Sequence, residues 1–357
     1  MKTLNLQRLL VAATLLFFCA GEAAAKRESW KDTQGGQFKA EAVEVLGPFA
    51  LFRTSLTTGR RLPFRFLRPE DCVRFHHGLA DVPAAVTDWA NTKSPVPQDF
   101  LGRVMRLQDD KLVPVDLKGR PEPKVYVIAF VNNAEGKSWE MLGTVNAKYH
   151  ELVAAYPGQI EALMFGIGHG RPEHTNMAAT MKVPYLVTDL YEQKNFLRVV
   201  RFAPADFGLI ALSRSGVPLG GVGAPQKAED IEKFFAELSA LLALIQDQNP
   251  AGWQDRVHYL AAVQPAIHAQ GEAPAILVGN PLAADALRQR GVSRVAAEIS
   301  LSEKGEVRNV ALKPDGIPEA LQQPIADVLT RVSVFVPAVK NGRFVESTYS
   351  YLLETGL

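Results

Sequence analysis

The chain contains two cysteines, Cys19 and Cys72, whose number and positions limit the sulfur chemistry available to it. Two cysteines are too few for a disulfide-stapled fold or for a zinc site built from thiolates. Cys19 lies in an amino-terminal segment that we expect to be removed on export, which would leave Cys72 as a single thiol. Most such thiols are buried and inert. We therefore expect no internal disulfide.

Histidines occur in two places where metal binding has to be considered. His169 and His174 lie near a predicted helix start, but their spacing across Pro172 matches no common pair of metal ligands. This pattern favours an exposed loop. The His76-His77 pair is more typical of a helix end than of a metal site. We expect no metal and no other cofactor.

The segment Gly136-Lys137-Ser138 follows a predicted strand and precedes a predicted helix, as a phosphate-binding loop would. That loop needs a first glycine five residues before Gly136, where Val131 stands. A polar turn that caps the helix is therefore favoured. The free N–H groups at such a helix start could still bind an anion.

Four arginines, Arg60, Arg61, Arg65 and Arg68, form a basic run in the first part of the chain. They are our candidate binding residues because such a run could contact an anionic surface. The alternative is a solvated strand face without a ligand. Nowhere else does the spacing indicate a nucleophile–base–acid triad or a pair of catalytic carboxylates, so we predict no catalytic residue.

Length and composition indicate a globular chain of several domains. It has 357 residues, of which 47% are hydrophobic and 22% charged. Domains of about 100–150 residues would allow two or three. The formal net charge is +1, so no strong field would attract nucleic acid or an anionic membrane.

The amino terminus is typical of an export signal. Lys2 and Arg8 precede the apolar run from Leu9 to Ala20, and small residues follow it up to Ala25. The run is too short to span a bilayer, which needs about 20 residues. We predict a signal peptide over residues 1–25, cleavage after about Ala25, and a periplasmic or secreted protein with no membrane span after cleavage. An uncleaved anchor is the alternative.

Proline-rich and small-residue stretches divide the rest of the chain. We predict a first module over residues 26–79, a linker over 80–98, a middle domain over 99–248, a second linker over 249–279 and a carboxy-terminal module over 280–357. The predicted fold class is α/β and α+β multidomain: a small β-barrel, an α/β sandwich and a ββαβ module.

The first module reads as short alternating strands followed by one short helix. It resembles the Sla homology domain, which is a Src-homology-3-like barrel. The resemblance rests on Trp30-Lys31-Asp32, Gly36-Gln37-Phe38, Ala40-Glu41-Ala42-Val43, Arg61-Leu62-Pro63 and Leu67-Arg68-Pro69-Glu70-Asp71. The resemblance implies a protein-binding adaptor module.

The middle domain follows the thioredoxin order of strand, helix, strand, helix, hairpin and helix. The run Lys124 to Val131 is apolar throughout, as in a strand buried on both faces, and the last helix has apolar residues at helical spacing from Ile231 to Ile245. Residues 112–242 resemble nucleoredoxin-like thioredoxin domains. The shared pieces are Lys111-Leu112-Val113-Pro114-Val115, Ala129-Phe130, Leu209-Ile210-Ala211-Leu212 and Ser215-Gly216.

This resemblance implies that the domain is redox-inactive. Active relatives carry a Cys-x-x-Cys motif at the start of the first helix, and aligned on Phe130 those positions are Glu135 and Ser138. Relatives also place a cis-proline before the hairpin, where Phe207 stands here. Glu135, Ser138 and Phe207 are therefore degenerate redox positions, and dithiol exchange is not expected.

The carboxy-terminal module reads as β-β-α-β and resembles the TonB carboxy-terminal domain family. The shared features are Glu303-Lys304-Gly305-Glu306-Val307, Phe335-Val336-Pro337-Ala338 and Asn341-Gly342. The family's edge strands pair with partner strands, which implies a binding role. Energy transduction is doubtful because the long proline-rich spacer is absent.

Together these patterns predict a non-catalytic exported binding, adaptor or scaffold protein. Its expected partners are envelope proteins or peptides, with no nucleic acid, and self-association is possible through edge-strand pairing. Two alternatives stay open: a thioredoxin-like redox accessory and a TonB-linked transport component.

Overall fold

The computed structural model describes residues 27–55, 57–79, 88–109, 111–131, 137–166, 176, 178–183, 186–189, 207–223, 225 and 227–356. These residues form several separate β-sheets with helices packed between and upon them. Among the helices in these ranges, none combines the length and the apolar character needed to cross a membrane.

The first region is a four-stranded antiparallel sheet with one helix. The strands follow one another in chain order, β1 (Glu28–Lys31), β2 (Gln37–Leu46), β3 (Phe49–Arg53) and β4 (Gly59–Pro63), and helix α1 spans Pro69–Gly78. Edge-to-face aromatic contacts hold α1 on the sheet, with Phe75 lying 5.0 Å from Phe52 and 5.9 Å from Phe64 between ring centroids. A closed barrel and the Sla homology resemblance stay predictions.

The middle region contains a seven-stranded sheet with the thioredoxin order. Four of its strands are β7 (Val125–Val131), β8 (Ile160–Gly166), β10 (Phe207–Ser213) and β11 (Pro218–Gly223). The sheet runs β11-β10-β7-β8-β9-β5-β6, with β11 at one edge. Strand β7 is parallel to β8 and antiparallel to β10. The remaining strands are β5 (Met105–Gln108), β6 (Lys111–Pro114) and β9 (Leu186–Asp189).

Helices cover both faces of this sheet. Helix α2 spans Pro95–Phe100 on one face, whereas α3 (Lys137–Ala155) and α4 (Ala228–Ile245) pack together on the other. Every residue of β7 is buried, because both of its faces are covered. The apolar stripe predicted from Ile231 to Ile245 is the buried face of α4.

The segment predicted as a linker at 80–98 contributes to the middle region. A 3₁₀ turn at Trp89–Asn91 and the start of α2 lie within it, and Trp89 and Val96 belong to the core on the α2 face. Two of the prolines that suggested a loop lie in the first turn of α2: Pro95 is its first residue, where a missing N–H has no cost, and Pro97 is its third.

The second predicted linker, 249–279, contains a helix that completes the first region. Helix α5 spans Trp253–Ile267, and its Tyr259 and Val263 belong to the same core cluster as Phe52 and Phe64. The Tyr259 ring stacks on Phe64 with centroids 4.2 Å apart. Pro265 lies inside α5, two residues before its end, so the proline content of this segment did not indicate the helix.

The carboxy-terminal region is built on the antiparallel sheet β15-β14-β19, with β14 at Arg294–Leu301, β15 at Val307–Lys313 and β19 at Ser347–Glu354. Helix α7 (Glu319–Arg331) packs against it. The smaller elements are β12 (Glu272–Ala273), β13 (Ile276–Leu277), α6 (Ala284–Arg288), β16 (Phe335–Val336), β17 (Ala338–Lys340) and β18 (Arg343–Val345).

The predicted β-β-α-β order is present in this region with one difference. The single strand expected over 344–353 is divided into β18 and β19, which pair with different neighbours. The predicted turn at Asn341-Gly342 joins β17 to β18, and both residues have positive φ, 51° and 69°, which Asn and Gly tolerate best. The TonB family resemblance stays a prediction.

Candidate functional site

The carboxyl ends of the central strands form the edge where a thioredoxin carries its redox motif. Val131 ends β7 and pairs with Gly166 on one side and with Phe207 on the other, and α3 begins at Lys137. Glu135 lies outside the described residues. Ser138 is the second residue of α3, and its side chain is also outside them.

Phe207 is a core residue rather than a surface residue at this edge. It begins β10, its side chain is 4% exposed, and it belongs to the core shared by the sheet, α3 and α4. The described residues contain no cis peptide bond. The geometry around Phe207 is therefore that of a packed strand end.

Cys72 is too deeply buried to act as a nucleophile. It lies in α1 with no exposed surface, inside the core of the first region. Burial, together with the negative charges of Asp71 and Glu70, raises the pKa of the Cys72 thiol to about 12. Because the thiolate is the reactive form, very little of it exists near neutral pH.

We therefore predict that Cys72 in the native protein does not react with iodoacetamide at pH 8, whereas the unfolded chain reacts readily. Peptide mapping by mass spectrometry would locate the label and separate Cys72 from Cys19. An exposed cysteine of ordinary pKa in an unrelated peptide serves as the control. Rapid labelling of Cys72 in the folded protein would contradict the buried placement.

Of the two histidine pairs considered as metal ligands, the structure describes one. His169 and His174 lie outside the described residues, whereas His76 lies in the last turn of α1 with its Nδ1 2.7 Å from the Tyr259 hydroxyl oxygen. Within the described ranges, no three His, Cys, Asp or Glu side chains are grouped as a metal ion would require.

The four candidate binding arginines are largely engaged within the chain. Three form ion pairs: Arg60 with Asp32, Arg65 with Asp255 and Arg68 with Asp71, each at 2.9 Å from nitrogen to oxygen. The Arg61 guanidinium carbon lies 5.1 Å from the centre of the Phe49 ring. The pairing leaves less positive charge for a partner than the sequence alone indicates.

A cavity of about 530 Å³ lies where the first region, α5 and the carboxy-terminal region meet. We call it the junction groove. Its lining is Val45, Gly47, Asp247, Arg256, Tyr259, Leu260, Leu277, Val278, Gly279, Asn280, Tyr349, Tyr351 and Leu352. Several elements of distant sequence must be folded together to form it.

The polar groups of the groove are held in fixed positions. The Tyr351 hydroxyl donates to Oδ1 of Asn280 at 2.8 Å, and burial raises the pKa of Tyr351 to about 12. The Arg256 guanidinium donates to the carbonyl oxygens of Gln246 and Asp247 at the end of α4. This fixes one wall of the groove.

Gly279 allows the groove wall to form. Its φ is +78°, and a Cβ there would lie 2.1 Å from Nε1 of Trp253. The Trp253 Nε1 in turn donates to the carbonyl oxygen of Asp247 at 2.8 Å. Only glycine combines this backbone conformation with so close an approach.

Strand β19 presents an open edge beside the groove. In the described part of the chain its ladder has one neighbour, β14. The Thr355 N–H donates to the carbonyl oxygen of Ser293, its opposite residue in the same register. Backbone groups alternate in direction along an antiparallel strand, so the odd-numbered residues of β19 bond to β14 and the even-numbered residues face away from it. Thr348, Ser350 and Leu352 thus direct N–H and C=O groups away from β14. Leu352 is 55% exposed.

The junction groove was not predicted from the sequence. A weak signal for α5 was present, because Tyr259 and Val263 lie four residues apart on one helical face, but the prolines of the segment were given more weight. No local pattern indicates that this helix lies against the first region.

No family model and no curated protein matches the chain. Solved structures similar to part of it include a secreted disulfide oxidoreductase of Mycobacterium tuberculosis homologous to E. coli DsbE, with 11% identity, 38% of this chain, 96% of that chain and a TM-score of 0.28. Peroxiredoxin Q of Xanthomonas campestris is 14% identical, and the match covers 44% of this chain and 99% of that chain with a TM-score of 0.31.

StoA of Bacillus subtilis is also similar to part of the chain. It is 9% identical, and the match covers 38% of this chain and 97% of that chain with a TM-score of 0.27. Two of these proteins are redox proteins by name. Likeness at this level assigns no activity to the present chain. The middle domain is thioredoxin-like by the order and direction of its own strands and helices.

Proposed function

We propose that the protein is a non-catalytic accessory protein of an exported compartment, which binds an extended segment of a partner polypeptide. The observation that carries this proposal is the open edge of β19 beside the junction groove. The thioredoxin-like domain serves as a scaffold that holds the other two regions.

The edge of β19 suits the addition of a strand. A peptide laid along it would pair with the outward backbone groups of Thr348, Ser350 and Leu352, which supply affinity without sequence preference. Tyr349 and Leu352 line the groove and lie on opposite faces of β19, so each would contact a different set of the peptide's side chains and select among partners. Backbone pairing combined with side-chain pockets is how strand addition achieves specificity.

The cysteine content supports a role without disulfide exchange. Dithiol chemistry requires two thiols that can approach each other, and this chain has only Cys19 and the buried Cys72. Removal of the predicted signal peptide would leave Cys72 alone. We expect no activity in an insulin-reduction assay, with Cys72→Ser as the control variant.

A redox-related accessory role is the second candidate, and the thioredoxin order of the middle domain favours it. In this role the protein would hold a thiol-containing or peptide partner for a separate enzyme that carries the cysteines. Because one fold hosts many functions, the identity of the partner decides between this role and a general adaptor. Crosslinking in the native envelope would identify that partner.

We predict that Ser350→Pro weakens partner binding about tenfold while Ser350→Ala leaves it nearly unchanged. The proline removes one outward N–H donor, and its ring obstructs a strand that would add to this edge. The hydrogen bonds between β14 and β19 are kept, because the Ser350 N–H does not donate to β14. Partners would first be captured by a photo-crosslinker at Leu352, and the captured segment would then be synthesised and titrated by calorimetry.

Two outcomes would contradict this proposal. The captured segment could bind Ser350→Pro as tightly as the native protein, which would place it elsewhere. Alternatively, the Leu352 crosslinker could capture nothing that competes with the synthetic segment. Unchanged thermal unfolding of Ser350→Pro would show that the sheet itself is intact.

A further inference from the structure

We propose that a second cleft, at the amino ends of β7 and β8, binds a carboxylate group attached to a short aliphatic chain. The cleft has a volume of about 300 Å³ and is bordered by Ile160 and Glu161 at the start of β8. It lies at the opposite end of the sheet from Val131 and Phe207. The inference is independent of the β19 edge.

Two buried N–H donors at this cleft have no hydrogen-bond acceptor among the described residues. They are Nε1 of Trp89, whose side chain is 1% exposed, and Nε of Arg106. Both residues line the cleft. A buried donor left without an acceptor costs about 1–3 kcal/mol, so a ligand oxygen that accepts from either one is favoured.

The walls of the cleft are fixed before any ligand arrives. The backbone N–H of Trp89 donates to the carbonyl oxygen of Arg120 at 2.7 Å. The Asp88 carboxylate accepts from the backbone N–H groups of Ala90 and Gly119, each at 3.0 Å, which ties the Trp89 turn to the loop before β7. The indole is therefore held in one place.

Glu161 positions the Arg106 guanidinium. Its carboxylate accepts from the Tyr149 hydroxyl at 2.8 Å and from NH2 of Arg106 at 3.1 Å. Burial raises the pKa of Glu161, while the nearby charge of Arg106 opposes that rise. One terminal nitrogen of Arg106 is bound to Glu161, and within the described ranges its buried Nε has no acceptor.

The charges around the cleft disfavour a ligand with two negative charges. The lining contains the guanidinium groups of Arg106 and Arg120, the carboxylate of Glu161 and the imidazole of His150. Glu122, a buried carboxylate in the loop beside the cleft, adds a second negative charge. Two cations against two anions suit one carboxylate better than a phosphate or sulfate dianion.

Apolar side chains of the cleft would contact the aliphatic chain of the ligand. Pro121, Pro123, Val153 and Ile160 line the cleft together with the face of Trp89. A chain of a few carbons could bury its surface on them, at about 25 cal/mol per Å². Small-molecule sites commonly combine an apolar lining with a few fixed polar groups in this way.

The test is a calorimetric titration of the full chain with valerate, with valeramide as the uncharged control. We expect saturable binding of valerate and at least tenfold weaker binding of valeramide. Trp89→Phe keeps the ring but removes the donor, and we expect it to weaken valerate binding about tenfold. Arg120→Gln should weaken binding as well, whereas Lys118→Gln, an exposed charge loss in the same loop, should not.

A peptide ending in leucine, with its terminus free or amidated, distinguishes a free acid from a chain terminus as the source of the carboxylate. Tight binding of the free-terminus peptide alone would assign a polypeptide end, and tighter binding of valerate would assign a small acid. Absence of saturable binding by both would overturn the proposal, as would equal binding of valerate and valeramide. If Trp89→Phe does not fold, the test is the comparison of valerate binding between Arg120→Gln and Lys118→Gln. Equal binding by these two variants would then overturn the proposal.

Discussion

Replacing Arg214 by alanine is expected to destabilise the protein by about 3–5 kcal/mol, because it leaves a buried carboxylate without its partner. Arg214 lies in the turn between β10 and β11, and its Nε donates to Oε1 of Glu44 on β2 at 2.8 Å. Their side chains are 13% and 3% exposed. Oε2 of Glu44 also accepts from the backbone N–H of Ser215 at 3.3 Å. The pair thus joins the first region to the thioredoxin-like domain.

The free energy of unfolding from denaturant titration would measure this effect. The double variant Arg214→Ala with Glu44→Gln should recover part of the loss, since no unpaired charge remains buried. Arg308→Ala is the matched control, because Arg308 pairs with Glu346 at sites 56% and 60% exposed, where we expect a loss of about 1 kcal/mol or less. Similar losses for Arg214→Ala and Arg308→Ala would contradict a buried, essential pair.

Replacing Tyr259 by alanine is expected to cost about 3–5 kcal/mol, the range for removing a large aromatic side chain from a core. The Tyr259 ring stacks on Phe64 at 4.2 Å, and its side chain belongs to the core of the first region although it lies on α5. The variant would lose this contact and the docking of α5. Amide hydrogen exchange should show the largest loss of protection in β1–β4 and α5.

Tyr259→Phe separates packing from hydrogen bonding. It keeps the ring and removes the hydroxyl that lies 2.7 Å from Nδ1 of His76, so a loss of about 1 kcal/mol is expected. If Tyr259→Ala were no more destabilising than Tyr259→Phe, the ring would contribute little and the placement of α5 would be wrong. Loss of protection confined to α5 would equally argue against a shared core.

Elements whose signal is local agree with the structure. The strand β7 follows from an uninterrupted apolar run, and α4 follows from apolar residues at helical spacing. The turn at Gly305, with φ of +80°, follows from its glycine between two alternating runs. In each case the residues that determine the element are neighbours in sequence.

Features that depend on distant residues could not be predicted. The Glu44–Arg214 pair joins residues 170 positions apart, and nothing beside either residue indicates the other. The junction groove requires α5, β19 and the first region together. The two degenerate positions Glu135 and Ser138 were derived by alignment to a family motif, and their side chains lie outside the described residues.

The position of α5 has a consequence for the order in which the protein can be assembled. Nε2 of His258 on α5 donates to the carbonyl oxygen of Leu67, 191 positions earlier, at 2.8 Å. During synthesis, where the amino end is made first, the part of the first region's apolar surface that α5 covers stays exposed until more than half of the chain has followed. Chaperone binding during that interval would therefore be more important for this protein than for one whose amino-terminal domain completes its core without later segments.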